Sequence, residues 1–221
     1  MPDEPRIISP SRLTAVSMLA QNTVLSIVGQ ALPLLIGLAV TPFIIRRLGE
    51  DGFGILSLGW SILTLSLVFN LGLGRATTKY AAEYLVREET EKLPPLFWMS
   101  VVMNISIGLV GTILVAGISV LLVKSGVLKI PAALDADAEA MFIWIAFAIP
   151  FTFVTTTLRG MLEAGQHFRE INFAKLIFNT AVFVLPALAM YFKANLLTIG
   201  LLLALSRVAE TLTYFRLCFF K

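Results

Sequence analysis

Residues 96–123, LFWMSVVMNISIGLVGTILVAGISVLLV, decide the fold. They run without a charged side chain for longer than the ~20 residues of helix that cross a hydrocarbon core of about 30 Å. In lipid a segment must satisfy its own backbone hydrogen bonds, and a helix does this alone. Five further apolar stretches approach or exceed that length, roughly 22–45, 53–71, 141–158, 173–192 and 196–220. The last cannot stop at Leu205, because ten residues of helix cover only ~15 Å. The sequence therefore predicts an all-α integral membrane protein, a bundle of six transmembrane helices over 22–220 behind a polar N-terminal segment, 1–21. The apolar run after that segment exceeds the ~7–15 residues of a signal peptide and ends in no small-residue cleavage site, so it is expected to remain as an anchor.

Composition agrees. The 221-residue chain is 57% hydrophobic and 14% charged, against about 45–50% and about 25% in soluble domains. Its mean hydropathy is +0.87. Such a chain is neither a soluble domain nor disordered. The net charge is +3, with scattered basic residues, which gives no sign of a nucleic-acid partner. A single cysteine, Cys218, excludes an internal disulfide, and a single histidine, His167, excludes a histidine-rich zinc site. No phosphate-binding loop, nucleophile elbow or paired mid-membrane carboxylates occur, so neither an enzyme nor a cofactor is expected.

Lysine and arginine bias predicts orientation. With the N-terminus in the cytoplasm, eleven basic residues fall on that side (Arg6, Arg12, Arg75, Lys79, Arg87, Lys92, Arg159, Arg169, Lys175, Arg216 and Lys221). Five fall opposite: Arg46, Arg47, Lys124, Lys129 and Lys193. Both termini are thus expected inside. The connector 75–91 reads as an amphipathic helix at the headgroups, with Tyr80, Tyr84 and Leu85 on one side and a charged stripe of Arg75, Lys79, Glu83 and Arg87.

Polar residues inside the spans are the candidate site. Ser100, Asn104, Gly108, Thr112 and Ala116 fall four apart, as do Gly29, Pro33, Gly37 and Thr41. Such stripes read as close helix packing or as a polar cavity wall in which Asn104 and Thr112 bond a hydroxylated ligand. Pro33, Pro42, Pro150 and Pro186 imply kinks or hinges. Arg207 lies halfway along the sixth span. Arginine there costs at least ~2.5–3.5 kcal/mol, so it must face protein or water. Glu210 is in reach as a partner, and the two read as a packing pair or as an anion- or ion-coupling site. Asn70, Asn179, Gln30 and the run Thr155-Thr156-Thr157 carry a weaker signal.

Three motifs add a resemblance. Asn22 opens the first span. PFIIRRLGEDGFG follows at 42–54, NLGLGRA at 70–76, and LRG-x-LEA-x-Q-x-F at 158–168. Together they resemble the N-terminal half of polysaccharide flippases, the O-antigen and exopolysaccharide translocases of the multidrug/oligosaccharidyl-lipid/polysaccharide exporter superfamily. The resemblance implies one six-helix lobe of a two-lobe transporter in the bacterial inner membrane. Its substrate would be an undecaprenyl-diphosphate-linked oligosaccharide. Arg207, Arg75 and Arg159 would attract the diphosphate, and Asn104, Thr112 and Thr156 would touch sugar. Asn70 stands where an acidic residue is expected. The chain is about half the family's length, so the resemblance implies a fragment that needs its C-terminal lobe or a second copy. The alternatives are a drug or small-metabolite exporter of the same superfamily and a non-transporting membrane half-protein.

Overall fold

The computed structural model describes residues 10–66 and 72–219, with side chains at 29, 31–66 and 72–219. The Asn22 and Gln30 side chains, Asn70 and Leu71 lie outside the described residues, as do Arg6, Lys221 and the Arg12 side chain. The described elements are helices: α1 (Pro10–Ser66), α2 (Leu73–Val86), a 3-10 turn at Thr90–Lys92, α3 (Leu93–Lys124), α4 (Asp135–Ala164), α5 (Phe168–Tyr191) and α6 (Leu196–Phe219).

Five helical stretches are long and apolar enough to cross a membrane, where the sequence suggests six: Ala31–Ser66, Thr90–Lys124, Asp135–Ala164, Phe168–Tyr191 and Leu196–Phe219. The difference lies in α1, which joins the first two apolar stretches in one helical run broken at Gly49. Gly49 has φ 77° and ψ 169°, a region open essentially to glycine alone. The chain reverses there. Gly37 abuts the Phe183 ring, where an added Cβ would come within 3.0 Å. Trp60 meets the same ring edge-on at 5.4 Å. In an unbroken helix residues 37 and 60 would stand ~35 Å apart at ~1.5 Å per residue. α1 is therefore a helical hairpin, its limbs before and after Gly49 both resting on α5.

α4 is the hub. Of its apolar window 56% is buried, against 11% for α3, which turns Trp98, Met99, Leu109 and Ile113 outward. α3 runs antiparallel to α4, with Asn104 on Thr157 and Thr112 on Ala146. α6 runs parallel to it, with Gly200 against Met141 and Thr211 on Thr155. α4 begins at Asp135, within the expected connector 124–140. Asp135 and Asp137 occupy its first turn, where the helix dipole favours negative charge. Asn195 caps α6, its Oδ1 accepting from the Thr198 N–H at 3.1 Å.

The amphipathic connector forms a helix, but with a different face inward. Thr77 and Ala81 are buried in α2, whereas Tyr80 and Leu85 are exposed. The cause is close docking on α4. A Cβ at Gly74 would lie 3.1 Å from Thr156, and one at Gly160 would lie 2.9 Å from the Gly74 carbonyl oxygen. Small residues go to such a seam and large ones away from it. Gly72, with φ 73°, supplies the left-handed start of α2.

Two apolar clusters hold the bundle. One contains Ile44, Leu56, Met141, Ile145 and Ile199. The other contains Phe97, Leu158, Ile171 and Tyr214. In α4 and α6 the stretches between them carry Thr155, Arg207, Glu210 and Thr211, so a polar belt separates two apolar ends.

Candidate functional site: a charged cavity between four helices

A cavity of about 270 Å³ opens in that belt. The second limb of α1 contributes Trp60 and Thr64, α4 contributes Thr152, Thr155, Thr156 and Arg159, α5 contributes Asn179 and Phe183, and α6 contributes Arg207 and Glu210. Helical periodicity builds the wall. Thr152, Thr156 and Arg159 fall at i, i+4 and i+7, one face of α4.

Arg207 Nη1 donates to Glu210 Oε2 at 2.7 Å, with the side chains 17% and 10% exposed. The pair is internally neutral and within good hydrogen-bond distance. Arg159 behaves differently. Its Nε lies 3.4 Å from Glu163 Oε1, and Lys175 Nζ of α5 lies 3.9 Å from the same oxygen. Both distances exceed the ~2.7–3.2 Å of a formed N–H···O bond.

Of the expected site residues, the structure brings Thr156, Arg159, Arg207 and Glu210 to this cavity. Asn104 and Thr112 stand elsewhere, in the seam between α3 and α4. Asn104 is buried, donating to Thr157 Oγ1 at 2.8 Å and to the Ser100 carbonyl at 3.0 Å. Thr112 Oγ1 donates to the Ala146 carbonyl at 2.9 Å, sharing its proton with the Gly108 carbonyl at 3.0 Å. The first acceptor has a cause. Pro150 has no N–H to give to residue 146, four positions back, so Thr112 from the neighbouring helix fills the vacancy. Arg75 is exposed on the first turn of α2, one residue from the Gly74 contact with Thr156.

Trp60, Thr64 and Thr152 of the cavity wall have no place among the residues expected from the sequence, and Lys175, beside Arg159 but outside the lining, enters there only in the charge bias. The i, i+4 pairs Trp60–Thr64 and Lys175–Asn179 held the missing signal. The threonine run was misleading because neighbours on a helix point ~100° apart. Thr155 meets Thr211 of α6, Thr156 faces the cavity, and Thr157 takes Asn104 of α3. Trp60 also packs edge-on to Phe53 at 6.1 Å, and its buried Nε1–H has no acceptor among the described residues. Such an orphan donor costs about 1–3 kcal/mol.

The fold defines a multi-pass helical membrane protein with charged groups in a cavity, and the family profile of MatE matches residues 25–185. The chain belongs to the MatE family, whose members are transporters rather than enzymes. This agrees with the resemblance carried by the glycine-arginine motifs. A Shigella flexneri protein named "Putative O-antigen transporter" is 24% identical over 179 residues, covering 80% of this chain and 41% of that protein. The chain thus spans less than half the length of this relative. No solved structure matches the chain.

Proposed function

We propose that the chain is one six-crossing lobe of a translocase that moves an undecaprenyl-diphosphate-linked oligosaccharide across the bacterial inner membrane for surface polysaccharide synthesis. The observation that carries this reading is the cavity, where arginines, threonines and an asparagine meet inside an otherwise apolar bundle. A diphosphate needs cations. Sugars need hydroxyl and amide groups beside an aromatic wall, here Thr64, Thr152, Thr156, Asn179 and Trp60. The prenyl tail stays in lipid. In this reading the two limbs of α1 cross separately, which makes six crossings, and the basic bias favours both described ends on the cytoplasmic side. The name of the Shigella relative supports the same substrate class. Because the chain covers less than half of that relative, a second lobe or a second copy completes the path.

A cation-extruding drug exporter fits less well. Its site would need an unneutralised acid, and Glu210 is held by Arg207 at 2.7 Å. The test replaces Arg159 by Gln in the full-length gene product, expressed in a strain lacking its own O-antigen flippase. Export of polymer is expected to fall by at least about tenfold at unchanged membrane levels, the scale of losing one charge contact to a phosphate. Wild-type export by that variant would overturn the assignment.

A further inference from the structure

The charge at and beside the cavity is unevenly compensated: Arg159, Arg207 and Glu210 line it, while Glu163 and Lys175 stand next to it through Arg159. Arg207 has Glu210 to itself at 2.7 Å. Arg159 and Lys175 share one carboxylate oxygen, Glu163 Oε1, at 3.4 and 3.9 Å. Among the described residues no second carboxylate lies within ion-pair distance of either cation. Three cations and two carboxylates leave one positive charge, and it sits on the Arg159–Lys175 side rather than on Arg207.

The helices around this cluster are tied. Tyr214 is fully buried against Ile171 and Ala174, its Oη 3.3 Å from the Ile171 carbonyl, and this packing holds α6 on α5 one turn before Lys175. Cys218 Sγ donates to the Leu158 carbonyl at 3.4 Å, fixing α6 to α4 beside Arg159. The frame is set by apolar packing around Tyr214 and Leu158, while the ion contacts beside it are long. All three charged side chains are about a third exposed, at 38%, 30% and 32% for Arg159, Glu163 and Lys175. The carboxylate is the part free to leave.

We propose that Glu163 is a built-in counter-ion that occupies Arg159 and Lys175 while the cavity is empty and yields both to an arriving phosphate group. A phosphate offers several acceptor oxygens and reaches two cations at hydrogen-bond distance, which one carboxylate oxygen at 3.4 and 3.9 Å does not. Lys175 is then a second cation of the headgroup site. Glu163 sets release: its charge competes for the same two partners and keeps the bound state from becoming too tight to leave. The inference rests on the reading that an anionic headgroup enters this cavity. Its chemistry is a phosphate or diphosphate, whether borne on a prenyl lipid or on a membrane phospholipid.

The experiment measures binding by the full-length gene product in nanodiscs. Inorganic pyrophosphate and farnesyl diphosphate are the soluble probes, and discs with and without phosphatidylglycerol are the lipid arm. Glu163→Gln is expected to lower the Kd for both diphosphates about five- to tenfold, the size of removing a competing, partly exposed charge. Lys175→Gln is expected to raise it by a similar factor. Should Glu163→Gln fail to fold, Lys175→Gln still decides, and unchanged diphosphate binding there overturns the proposal. So does a Glu163→Gln protein that binds none of the three phosphate sources more tightly. Tightening toward phosphatidylglycerol alone keeps Glu163 as the counter-ion and removes the lipid-linked substrate. Loss of export in Arg159→Gln is a separate readout, so the two readings fail separately.

Discussion

Arg207 was conspicuous in the sequence because a guanidinium in mid-membrane must have a reason, and Glu210 was within reach one turn on. Sequence could not say whether the reason is packing or transport. The geometry makes the question testable. Removing one member of a mostly buried pair strands the other, at about 2–3 kcal/mol here, below the ~3–5 kcal/mol of fully buried pairs. Arg207→Ala is therefore expected to lower the thermal stability of the purified protein. Arg207→Met combined with Glu210→Leu is expected to recover it to within about 1 kcal/mol, since an apolar pair of similar size replaces a costly buried ion pair. If the pair serves transport, export stays lost in that stable double variant. Recovery of export along with stability would leave the pair a packing device. The Arg159–Glu163–Lys175 cluster was less legible, because its members come from two helices and sequence spacing links only Arg159 to Glu163.

Helix existence was written plainly in the apolar runs, while helix limits and neighbours were not. α4 reaches back to Asp135 because two carboxylates suit its N-terminus, and a hydropathy reading stops at the first charges. The glycine motifs of the resemblance turned out to be backbone devices. Gly49 reverses α1 and Gly72 starts α2, both at positive φ. The stripe through Asn104, Gly108 and Thr112 forms a single face, as its spacing predicts, but what it faces depends on a proline in another helix. A Cβ at Gly108 would fall 2.6 Å from the Pro150 Cα, so this crossing is as close as backbones allow. Thr112→Val should then cost roughly 1 kcal/mol by leaving the Ala146 carbonyl without its donor. In a Pro150→Ala background the restored N–H serves that carbonyl, and Thr112→Val should become nearly neutral. A double-mutant cycle on unfolding in detergent measures the coupling. Equal costs in both backgrounds would contradict the donor role of Thr112.

The two ends of the bundle differ in their basic content. At one end the Gly49 turn meets the α3–α4 connector, with Glu50 and Asp51 beside Leu128 and Lys129. Asn195 Nδ2 donates to Asp137 Oδ1 there at 3.2 Å. Arg46, Arg47, Lys124, Lys129 and Lys193 belong to this end. Arg75, Lys79, Arg87, Lys92, Arg159, Arg169, Lys175 and Arg216 belong to the other. The segregation was readable from loop composition, but the bundling of turns 49, 125–134 and 192–195 at one end required the fold. Cys218 is the one cysteine of these 221 residues, so Cys218→Ser, with any cysteine elsewhere in the gene product also replaced, allows single reporters. Glu50→Cys, Lys129→Cys and Lys193→Cys are expected to react with a membrane-impermeant thiol reagent applied from the periplasmic side. Glu88→Cys and Gln166→Cys are expected to react only after permeabilisation. The physical basis is that a basic loop resists translocation, so the richer end stays inside. A Glu50→Cys reporter protected from both sides would bury the Gly49 turn in lipid and remove the sixth crossing. The inverse pattern at all five positions would keep six crossings and turn the lobe over, which would put the Arg159–Lys175 end at the periplasmic face and make it a release site rather than an entry.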